Sequence, residues 1–381
     1  MRAVTRADIV VIGGGVIGLT IARRLAKDGL AVTLLERAQV GREASWAGAG
    51  VLAPPNPHRK DAVAALQLRS LTMYPGFCRE LMGESGIDPE YEPCGELEVA
   101  FDEAGFQVLR EDERAAGGRQ RSDGRPAFEI HSGEAIRRIE LVVSSEVVGL
   151  LECRETAQVR NPRLLRALHT ACIRAGVVIR EDSPVRDFIV EGDRVVGVRT
   201  ETGSIAASHV VLCAGAWSSR IGDRLQSLMP IHPVRGQMVL LKLDRRPFGR
   251  IIARGKSYLV PRRDGHVLLG ATEEPEAGFT KRNTAKGVAG LLERAVRMAP
   301  MLADAPVAAT WSGLRPGTPD DMPYIGKVPG LEGLIAATGH YRTGLTLAPV
   351  TAEVVAAIIH EKSYDIDMTC CQPGRCGLLP T

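Results

Sequence analysis

The first 36 residues contain the pattern that most restricts the fold of this chain: a strand, a glycine-rich turn and a helix. Ile9 to Ile12 is a continuous apolar run, which is typical of a strand buried on both faces. Gly13, Gly15 and Gly18 follow with G-x-G-x-x-G spacing, and apolar residues then recur at helical spacing. The pattern predicts the start of a nucleotide-binding α/β unit.

A second predicted strand, residues 31–35, completes a βαβ unit and leads into Glu36, 18 residues after the last glycine of the motif. An acid at this place can accept hydrogen bonds from ribose hydroxyls, and it disfavours the 2′-phosphate of NADP. We expect Gly13 to allow a tight turn, Gly15 to admit a pyrophosphate and Gly18 to let helix and strand pack closely. A glycine-rich turn in an ordinary α/β unit is the alternative.

The segment after Glu36 does not continue into another βαβ unit. Residues 41–50 read G-R-E-A-S-W-A-G-A-G, an irregular loop of small residues that precedes Pro54 and Pro55. Small side chains let backbone N–H groups approach a large planar ligand, such as the isoalloxazine ring of a flavin. This favours FAD over NAD, although a flexible loop would have a similar composition. The chain has no second G-x-G-x-x-G, and so no sign of a separate NADH site.

Composition and charge exclude several classes of protein. The chain has 381 residues, 45% of them hydrophobic, which is enough for a large core and two domains. A formal net charge of +3 gives no reason to expect nucleic acid or an anionic membrane as a partner. No run of 18 apolar residues predicts a spanning helix, and the N-terminus has no signal-peptide pattern. We therefore expect a cytoplasmic protein that does not insert into a membrane.

The eight cysteines do not form a metal-binding pattern. Five lie singly among apolar neighbours and are expected to be reduced and partly buried. Cys370, Cys371 and Cys376 cluster near the C-terminus, but C-x-x-C spacing and a fourth ligand are missing. We predict no metal, and a disordered tail outside the core whose cysteines are not catalytic.

From Asp8 to about His360 the sequence resembles the FAD-dependent amine oxidases of the D-amino-acid oxidase and sarcosine oxidase family. Within that family it is most similar to the enzymes that oxidise glycine for thiazole (thiamine) synthesis. The segments that carry the resemblance are E-A-S-W-A-G-A-G-V-L-A-P (43–54), V-V-L-C-A-G-A-W-S (210–218), V-R-G-Q (234–237), S-Y-L-V-P-R (257–262), W-S-G-L-R-P-G-T (311–318) and G-H-Y-R-T-G-L-T-L-A-P-V-T (339–351).

The resemblance implies a discontinuous architecture of α/β plus α+β class. A Rossmann-like FAD-binding domain would be assembled from residues 1–85, 155–225 and 318–363. A substrate domain with a mixed or antiparallel sheet would be inserted as residues 86–154 and 226–317. Residues 364–381 would form a C-terminal tail.

The resemblance also implies non-covalent FAD and a set of residues that contact it. Val185 would meet the adenine side through its backbone, and a helix predicted over 347–361 would point its N-terminus at the reduced flavin. The predicted cofactor contacts are Gly13, Gly15, Val16, Ile17, Gly18, Glu36, Arg37, Ala44, Ser45, Ala49, Gly50, Val51, Val185, His340, Tyr341, Arg342, Thr343, Gly344, Leu345 and Thr346.

Three residues match the family's substrate-binding positions. Arg315 would grip the substrate carboxylate with two parallel hydrogen bonds, Tyr258 would assist through its hydroxyl, and Arg342 would lie near the substrate. The plainer alternatives are a surface arginine in a turn and a half-buried strand tyrosine. Glu273 departs from the family pattern, in which an apolar residue lines the pocket. It would either favour a substrate with a second cationic group or point to solvent.

The implied reaction is oxidation of glycine, sarcosine or a D-amino acid to an imine by hydride transfer to flavin. We expect no catalytic residue beyond the flavin, because the cofactor carries the chemistry and the protein supplies position and field. Oxygen would reoxidise the flavin to give hydrogen peroxide, and the imine would yield glyoxylate and ammonia or enter thiazole synthesis. The family also suggests a homo-oligomer, specifically a homotetramer. The alternatives are a D-amino-acid or sarcosine dehydrogenase with a non-oxygen acceptor, and a non-catalytic flavin-binding subunit.

Overall fold

The computed structural model describes residues 5–121, 123–222 and 224–376. The strands in these ranges, in chain order, are β1 (Thr5–Ile12), β2 (Val32–Leu35), β3 (Val51–Leu52), β4 (Glu96–Ala100), β5 (Phe128–Ser132), β6 (Gly149–Cys153), β7 (Ala157–Gln158), β8 (Val178–Arg180), β9 (Val185–Glu191), β10 (Arg194–Thr200), β11 (Gly203–Leu212), β12 (His232–Lys242), β13 (Ile251–Arg254), β14 (Ser257–Pro261), β15 (His266–Gly270), β16 (Val307–Gly317), β17 (Tyr324–Lys327) and β18 (Leu334–Thr338).

The α-helices lie mainly between these strands, and none in the described ranges is both long and apolar enough to cross a bilayer. They are α1 (Val16–Lys27), α2 (Ala44–Ala47), α3 (Ala62–Ser85), α4 (Glu103–Ala115), α5 (Glu134–Ile139), α6 (Asn161–Arg174), α7 (Leu225–Leu228), α8 (Ala285–Met298) and α9 (Gly344–Ile359).

The first sheet contains the predicted βαβ unit. Its strand order is β17-β18-β11-β1-β2-β8, and β1 pairs in parallel with both β2 and β11. The central strand β1 is buried on both faces from Ile9 to Ile12, as its continuous apolar run predicts. Strand β10 pairs antiparallel with both β9 and β11, which extends this sheet by two antiparallel strands.

The second sheet has the order β16-β12-β15-β14-β13-β4-β6-β5. Its neighbouring strands are antiparallel except for β4 and β13, which are parallel, so the sheet is mixed. The predicted fold class, a Rossmann-like unit combined with a mixed sheet, is confirmed. The first sheet takes strands from residues 5–35, 178–212 and 324–338, whereas the second takes them from 96–153 and 232–317. The predicted domain boundaries stay predictions.

Helices α1, α3, α6 and α9 pack together against one face of the first sheet. Helix α1 lies very close to the end of β1 at the glycine motif, where a Cβ on Gly18 would collide with the carbonyl of Gly13. This is the packing role that the sequence predicts for Gly18. The helix layer therefore holds the N-terminus of α1 tightly against the end of β1.

The prediction of a disordered tail outside the core is wrong for residues 364–376. Cys371 is fully buried in the same core as α1, α3 and α9, and Tyr364, Ile366 and Met368 pack against that core. Arg375 lies 3.9 Å from the ring centre of Tyr324 and forms an ion pair with Asp320. The segment has no helical or strand period, so its burial left no pattern in the sequence. The predicted tail residues 377–381 lie outside the described residues.

Candidate active site

A cavity of about 820 Å³ lies where the two sheets meet, and segments from both line it. The glycine turn after β1 and the end of β2 form one part of its wall. Residues 43–51 and the N-terminus of α9 form another, and β12, β13, β14 and β16 of the second sheet close it. Every predicted cofactor- and substrate-binding residue except Gly18 lines this cavity.

The glycine turn and Glu36 form a fixed corner of the cavity. Gly13 has a φ of 108°, which only glycine adopts easily, and a Cβ there would lie 2.5 Å from the carbonyl oxygen of Cys213. The buried carboxylate of Glu36 accepts hydrogen bonds from the N–H of Gly14 at 2.8 Å and of Ala38 at 3.1 Å. Each carboxylate oxygen keeps acceptor capacity for a further donor, as a ribose contact requires.

The predicted irregular loop of residues 41–50 contains one helical turn, α2, which the sequence analysis missed. Asn161 holds this turn from the far side, because its Nδ2 donates to the carbonyls of Ser45 at 2.8 Å and Gly48 at 2.9 Å. Gly50 has a φ of 75°, and a Cβ there would collide with the carbonyl of Val159. The small residues therefore permit close backbone packing on the side of the loop away from the cavity as well as approach of a ligand.

Arg262 is a buried cation that anchors the same loop. Its guanidinium donates to Gln158 Oε1 and the Val159 carbonyl, both at 2.9 Å, and to the Ala49 carbonyl at 2.6 Å. No carboxylate in the described ranges forms an ion pair with it, and burial lowers its pKa to about 10. Sequence reasoning gave Arg262 no role, although it ends the quoted S-Y-L-V-P-R motif.

The aromatic residue of the loop packs on the second sheet. The rings of Trp46 and Trp311 are 5.4 Å apart, and Trp311 Nε1 donates to the carbonyl of Ala47 at 3.0 Å. A Cβ on Gly313 would lie 2.5 Å from that of Ala47. Strand β16 and the loop are thus in direct contact, so these two parts of the cavity wall are held together.

Helix α9 begins at Gly344, three residues before the predicted start at Leu347. Pro349 lies inside it and has no N–H to donate to the carbonyl of Leu345. The hydroxyl of Tyr74, on α3, donates to that carbonyl instead. This contact explains how the helix tolerates the proline. Because α9 begins at Gly344, residues 344–346, which line the cavity, lie in the first helical turn. The N–H groups of that turn have no partner within the helix.

His340 lies just before this helix and is buried. Its Nε2 lies 3.1 Å from the Thr351 hydroxyl, and burial lowers the pKa of the imidazole to about 3. The side chain is therefore neutral at physiological pH and adds no positive charge to this part of the cavity.

Arg315 and Tyr258 lie against glycines on neighbouring strands. A Cβ on Gly236 would lie 2.5 Å from Nη1 of Arg315, and a Cβ on Gly270 would collide with the ring of Tyr258. Arg315 Nη1 also donates to the carbonyl of Thr272 at 3.1 Å. Burial raises the pKa of Tyr258, against the opposing effect of Arg315, so its hydroxyl stays protonated and able to donate. The glycines give both side chains room to lie over the sheet.

Arg342 lines the cavity, whereas Glu273 is not among the lining residues. Glu273 lies 2.6 Å from Lys256 Nζ and 3.5 Å from Arg342 Nη1. Burial opposes ionisation of this carboxyl, but the neighbouring cations lower its pKa below the ordinary value. Its charge is met by the chain's own cations, which favours neither of the two roles considered from the sequence.

Arg37 lines the cavity, and its charge is balanced by a carboxylate of the same chain. Its guanidinium forms an ion pair with Glu43 and lies 3.9 Å from the ring centre of Trp217, another lining residue. Sequence reasoning missed Trp217, although it lies within the quoted segment 210–218. It also missed Gln67 and Glu96, which lie in no recognised motif and reach the cavity only through the tertiary fold.

Among the described residues, one group of potential metal ligands lies away from this cavity. Glu129, His131 and Glu152 bring ligand atoms within 4.8 Å of one another. Arg154 contacts both carboxylates, and Arg250 Nε lies 3.3 Å from Glu152. These guanidinium groups already balance the negative charge, so the cluster is best described as an ion-pair network.

The cavity fits an elongated dinucleotide such as FAD. It runs from a helix N-terminus and the buried carboxylate of Glu36 to a loop of small residues beside a second helix N-terminus. At the far side, an arginine and a protonated tyrosine can bind a carboxylate.

Comparisons with known proteins agree with this geometry. The sequence profile "DAO: FAD dependent oxidoreductase" matches residues 8–358. The chain is 40% identical to glycine oxidase of Pseudomonas aeruginosa, over 94% of this chain and 96% of that protein. It is 37% identical to the bifunctional protein ThiO/ThiG of Trichormus variabilis, over 94% of this chain and 53% of that protein. The structure superposes on glycine oxidase of Geobacillus kaustophilus with a TM-score of 0.92 and 30% identity, over 97% and 99% of the two chains.

Proposed function

The chain belongs to the DAO family of FAD dependent oxidoreductases, and from that premise we propose that it oxidises the amine of glycine to an imine. The observation that carries the proposal is the convergence of Arg315 and Tyr258 on the cavity that residues 44–51 and α9 also line. A carboxylate clamp beside a flavin-sized cavity selects small amino acids over simple amines.

We assign the clamp to Arg315, with Tyr258 as its partner. The planar guanidinium can form two parallel hydrogen bonds with the substrate carboxylate, and the protonated Tyr258 hydroxyl can donate a further one. Gly236 and Gly270 set the positions of these side chains over the sheet. Arg342, paired with Glu273, lies at the same cavity and adds positive charge.

The remaining parts of the cavity are assigned to the cofactor. When bound, FAD supplies the acceptor for the hydride lost from the substrate carbon. Gly13, Gly15 and the N-terminus of α1 would hold its pyrophosphate, and Glu36 its ribose. The first turn of α9 presents N–H groups that stabilise negative charge, and the loop anchored by Asn161 and Arg262 positions the ring.

Four finer assignments belong to the proposal. Oxygen is the electron acceptor, giving hydrogen peroxide, and the imine yields glyoxylate and ammonia or enters thiazole synthesis; the names of the glycine oxidase and ThiO/ThiG relatives support these assignments. A cytoplasmic location suits eight free cysteines, since reducing compartments keep thiols unpaired. A homo-oligomer, predicted as a homotetramer, completes the proposal.

The test is an anaerobic screen of the purified FAD-loaded protein with glycine, sarcosine, D-alanine and ethylamine. We expect glycine and sarcosine to bleach the flavin, and ethylamine to react poorly because it lacks the carboxylate. Readmission of oxygen should restore the colour and form peroxide. Bleaching without fast reoxidation would identify a dehydrogenase, and no bleaching by any amine would refute the proposed function.

A further inference from the structure

An acidic side chain outside every recognised motif lies on the wall of the proposed substrate cavity. Glu96 begins β4, where it is the register partner of Ile251 on β13. Ile251 and Ala253, two residues further along β13, also line the cavity, and Ala253 is the partner of Tyr258 on β14. Glu96 therefore lies on the same sheet face as the proposed clamp, two strands from Tyr258.

The position leaves space between the clamp and Glu96. Neighbouring strands lie about 4.8 Å apart, so the backbones of β14 and β4 are separated by roughly 10 Å. The Tyr258 ring and the Glu96 side chain each cover part of that span. A substituent of two or three bonds on a bound amino acid would reach from the carboxylate clamp toward Glu96.

Among the described residues, Glu96 and Glu98 lack the counter-ion that other acids nearby have. Glu92 lies 2.6 Å from Arg246, and Glu152 lies 2.7 Å from Arg154. Within the described ranges Glu96 has no ion pair. Burial raises its pKa to about 7, against the opposing effect of the Thr156 hydroxyl.

An unpaired carboxyl facing a cavity is costly for the fold, because burying an unmatched charge is unfavourable. Glu98, two residues further along β4 on the same face, is a carboxyl with a structural role. It does not line the cavity, and it accepts a hydrogen bond from the Gly255 N–H. Strand geometry does not require an acid at Glu96, since the adjoining cavity residues Ile251 and Ala253 are apolar. The free acceptor is thus directed to whatever enters the cavity.

We propose that Glu96 selects substrates by charge: it binds a cationic or hydrogen-bond-donating substituent of the amino acid and repels a second carboxylate. This inference rests on the proposed amine oxidation, because it takes the cavity to be the substrate site. The favoured substrate class is a small amino acid whose carboxylate binds Arg315 and whose other substituent carries an amine. Dicarboxylic amino acids are disfavoured.

The test compares three N-substituted glycines that differ in the charge of one group: sarcosine, N-(2-aminoethyl)glycine and iminodiacetate. Anaerobic stopped-flow flavin reduction at pH 8 gives the rate and apparent Kd for each, and flavin absorbance titration gives Kd for any compound that binds without reacting. Ratios between compounds are independent of the fraction of active enzyme. The proteins are the parent, Glu96→Gln, Glu96→Asp and the matched control Glu98→Gln.

We expect the parent to bind the aminoethyl compound more tightly than sarcosine and iminodiacetate more weakly. In Glu96→Gln both preferences should shrink by about tenfold, the size expected for charges several ångströms apart at intermediate dielectric. Glu96→Asp should retain the preferences in part, because it keeps the charge. Glu98→Gln should leave them unchanged.

Two outcomes would overturn the inference: unchanged ratios between the compounds in Glu96→Gln, or the same change of ratios in Glu98→Gln. Unchanged ratios with an equal loss for all three compounds would assign Glu96 to proton transfer or to the fold. If the parent reduced its flavin with none of the amines, including glycine, the proposed function would fail. The titrated Kd values would still show whether Glu96 discriminates among the ligands.

Discussion

Replacing Arg262 by Met should loosen the loop that we assign to the flavin. The substitution keeps a long side chain but removes all the donors that reach Gln158, Val159 and Ala49. The Ala49 carbonyl belongs to a residue that lines the cavity, so its loss of a partner acts directly on the cofactor wall.

Two opposing effects set the magnitude for Arg262→Met. Three buried acceptors lose a partner, at about 1–3 kcal/mol each. Against this, the fold no longer has to bury an unpaired cation. The fall in the pKa of Arg262 from its ordinary value to about 10 corresponds to roughly 3 kcal/mol. We therefore expect the free energy of unfolding to fall by about 3 kcal/mol.

The assay has two readouts: urea unfolding of the apoprotein, and FAD binding measured by quenching of flavin fluorescence. The Kd for FAD should rise at least about tenfold, since 1.4 kcal/mol corresponds to a factor of ten. The neighbouring Arg263, half-exposed and 3.5 Å from Asp88, provides the matched control, because Arg263→Met removes an arginine that does not touch the loop. Arg262→Lys keeps the charge without the planar set of donors and should give an intermediate Kd.

Equal FAD affinity in the parent and Arg262→Met would refute this reasoning. It would mean that Asn161 and Trp311 hold the loop without the arginine. An equal change in Arg263→Met would point to a general effect of lost positive charge.

Arg315→Lys should raise KM for glycine and lower kcat in stopped-flow reduction while leaving ethylamine little affected; equal proportional losses for both amines would remove the carboxylate role. Tyr74→Phe leaves the Leu345 carbonyl without its donor, so the free energy of unfolding should fall by about 1–3 kcal/mol in urea titration, and no change would show that water replaces the hydroxyl. Burial raises the pKa of Asp320, but the ion pair with Arg375 outweighs burial and holds that pKa down to about 2, below its value in the unfolded chain. The pair's stabilisation, about 1–2 kcal/mol, is therefore complete above the unfolded pKa and is lost as pH falls through about 2. Urea midpoints of the parent and Arg375→Gln should accordingly differ at pH 6 and converge toward pH 2, and a constant difference would exclude Asp320 as the partner.

The parts of the structure that local pattern controls could be predicted from the sequence. The βαβ unit is one such part, because Gly13, Gly18 and Glu36 each have a local geometric requirement. The contacts that complete the site join residues far apart in the chain. Arg262 reaches Ala49 across 213 positions, and nothing in the spacing of either residue indicates the other.

Two of the structural errors, the late start predicted for α9 and the tail predicted to be disordered, have related causes. Gly344 and Pro349 both disfavour a helix that begins at residue 344, but Tyr74, 271 residues away from Leu345, compensates for the proline. In the segment 364–376, the buried residues recur at neither helical nor strand spacing, so the sequence gives no periodic signal of their burial. Since Cys371 is part of the main core, we now expect removal of residues after Lys362 to destabilise the protein, whereas a tail outside the core would have been dispensable.

The position of β18 in the first sheet has a consequence for synthesis on the ribosome. It lies between β11 and β17 and pairs in parallel with β11, although more than 120 residues separate Leu212 from Leu334. Until β18 emerges, a nascent chain exposes the apolar edge of β11, which can pair with other chains. The cavity also needs residues 337–346, so FAD can help to stabilise the fold only after these have left the exit tunnel. Cofactor supply should therefore affect the maturation of completed chains and leave stalled, shorter ones unprotected.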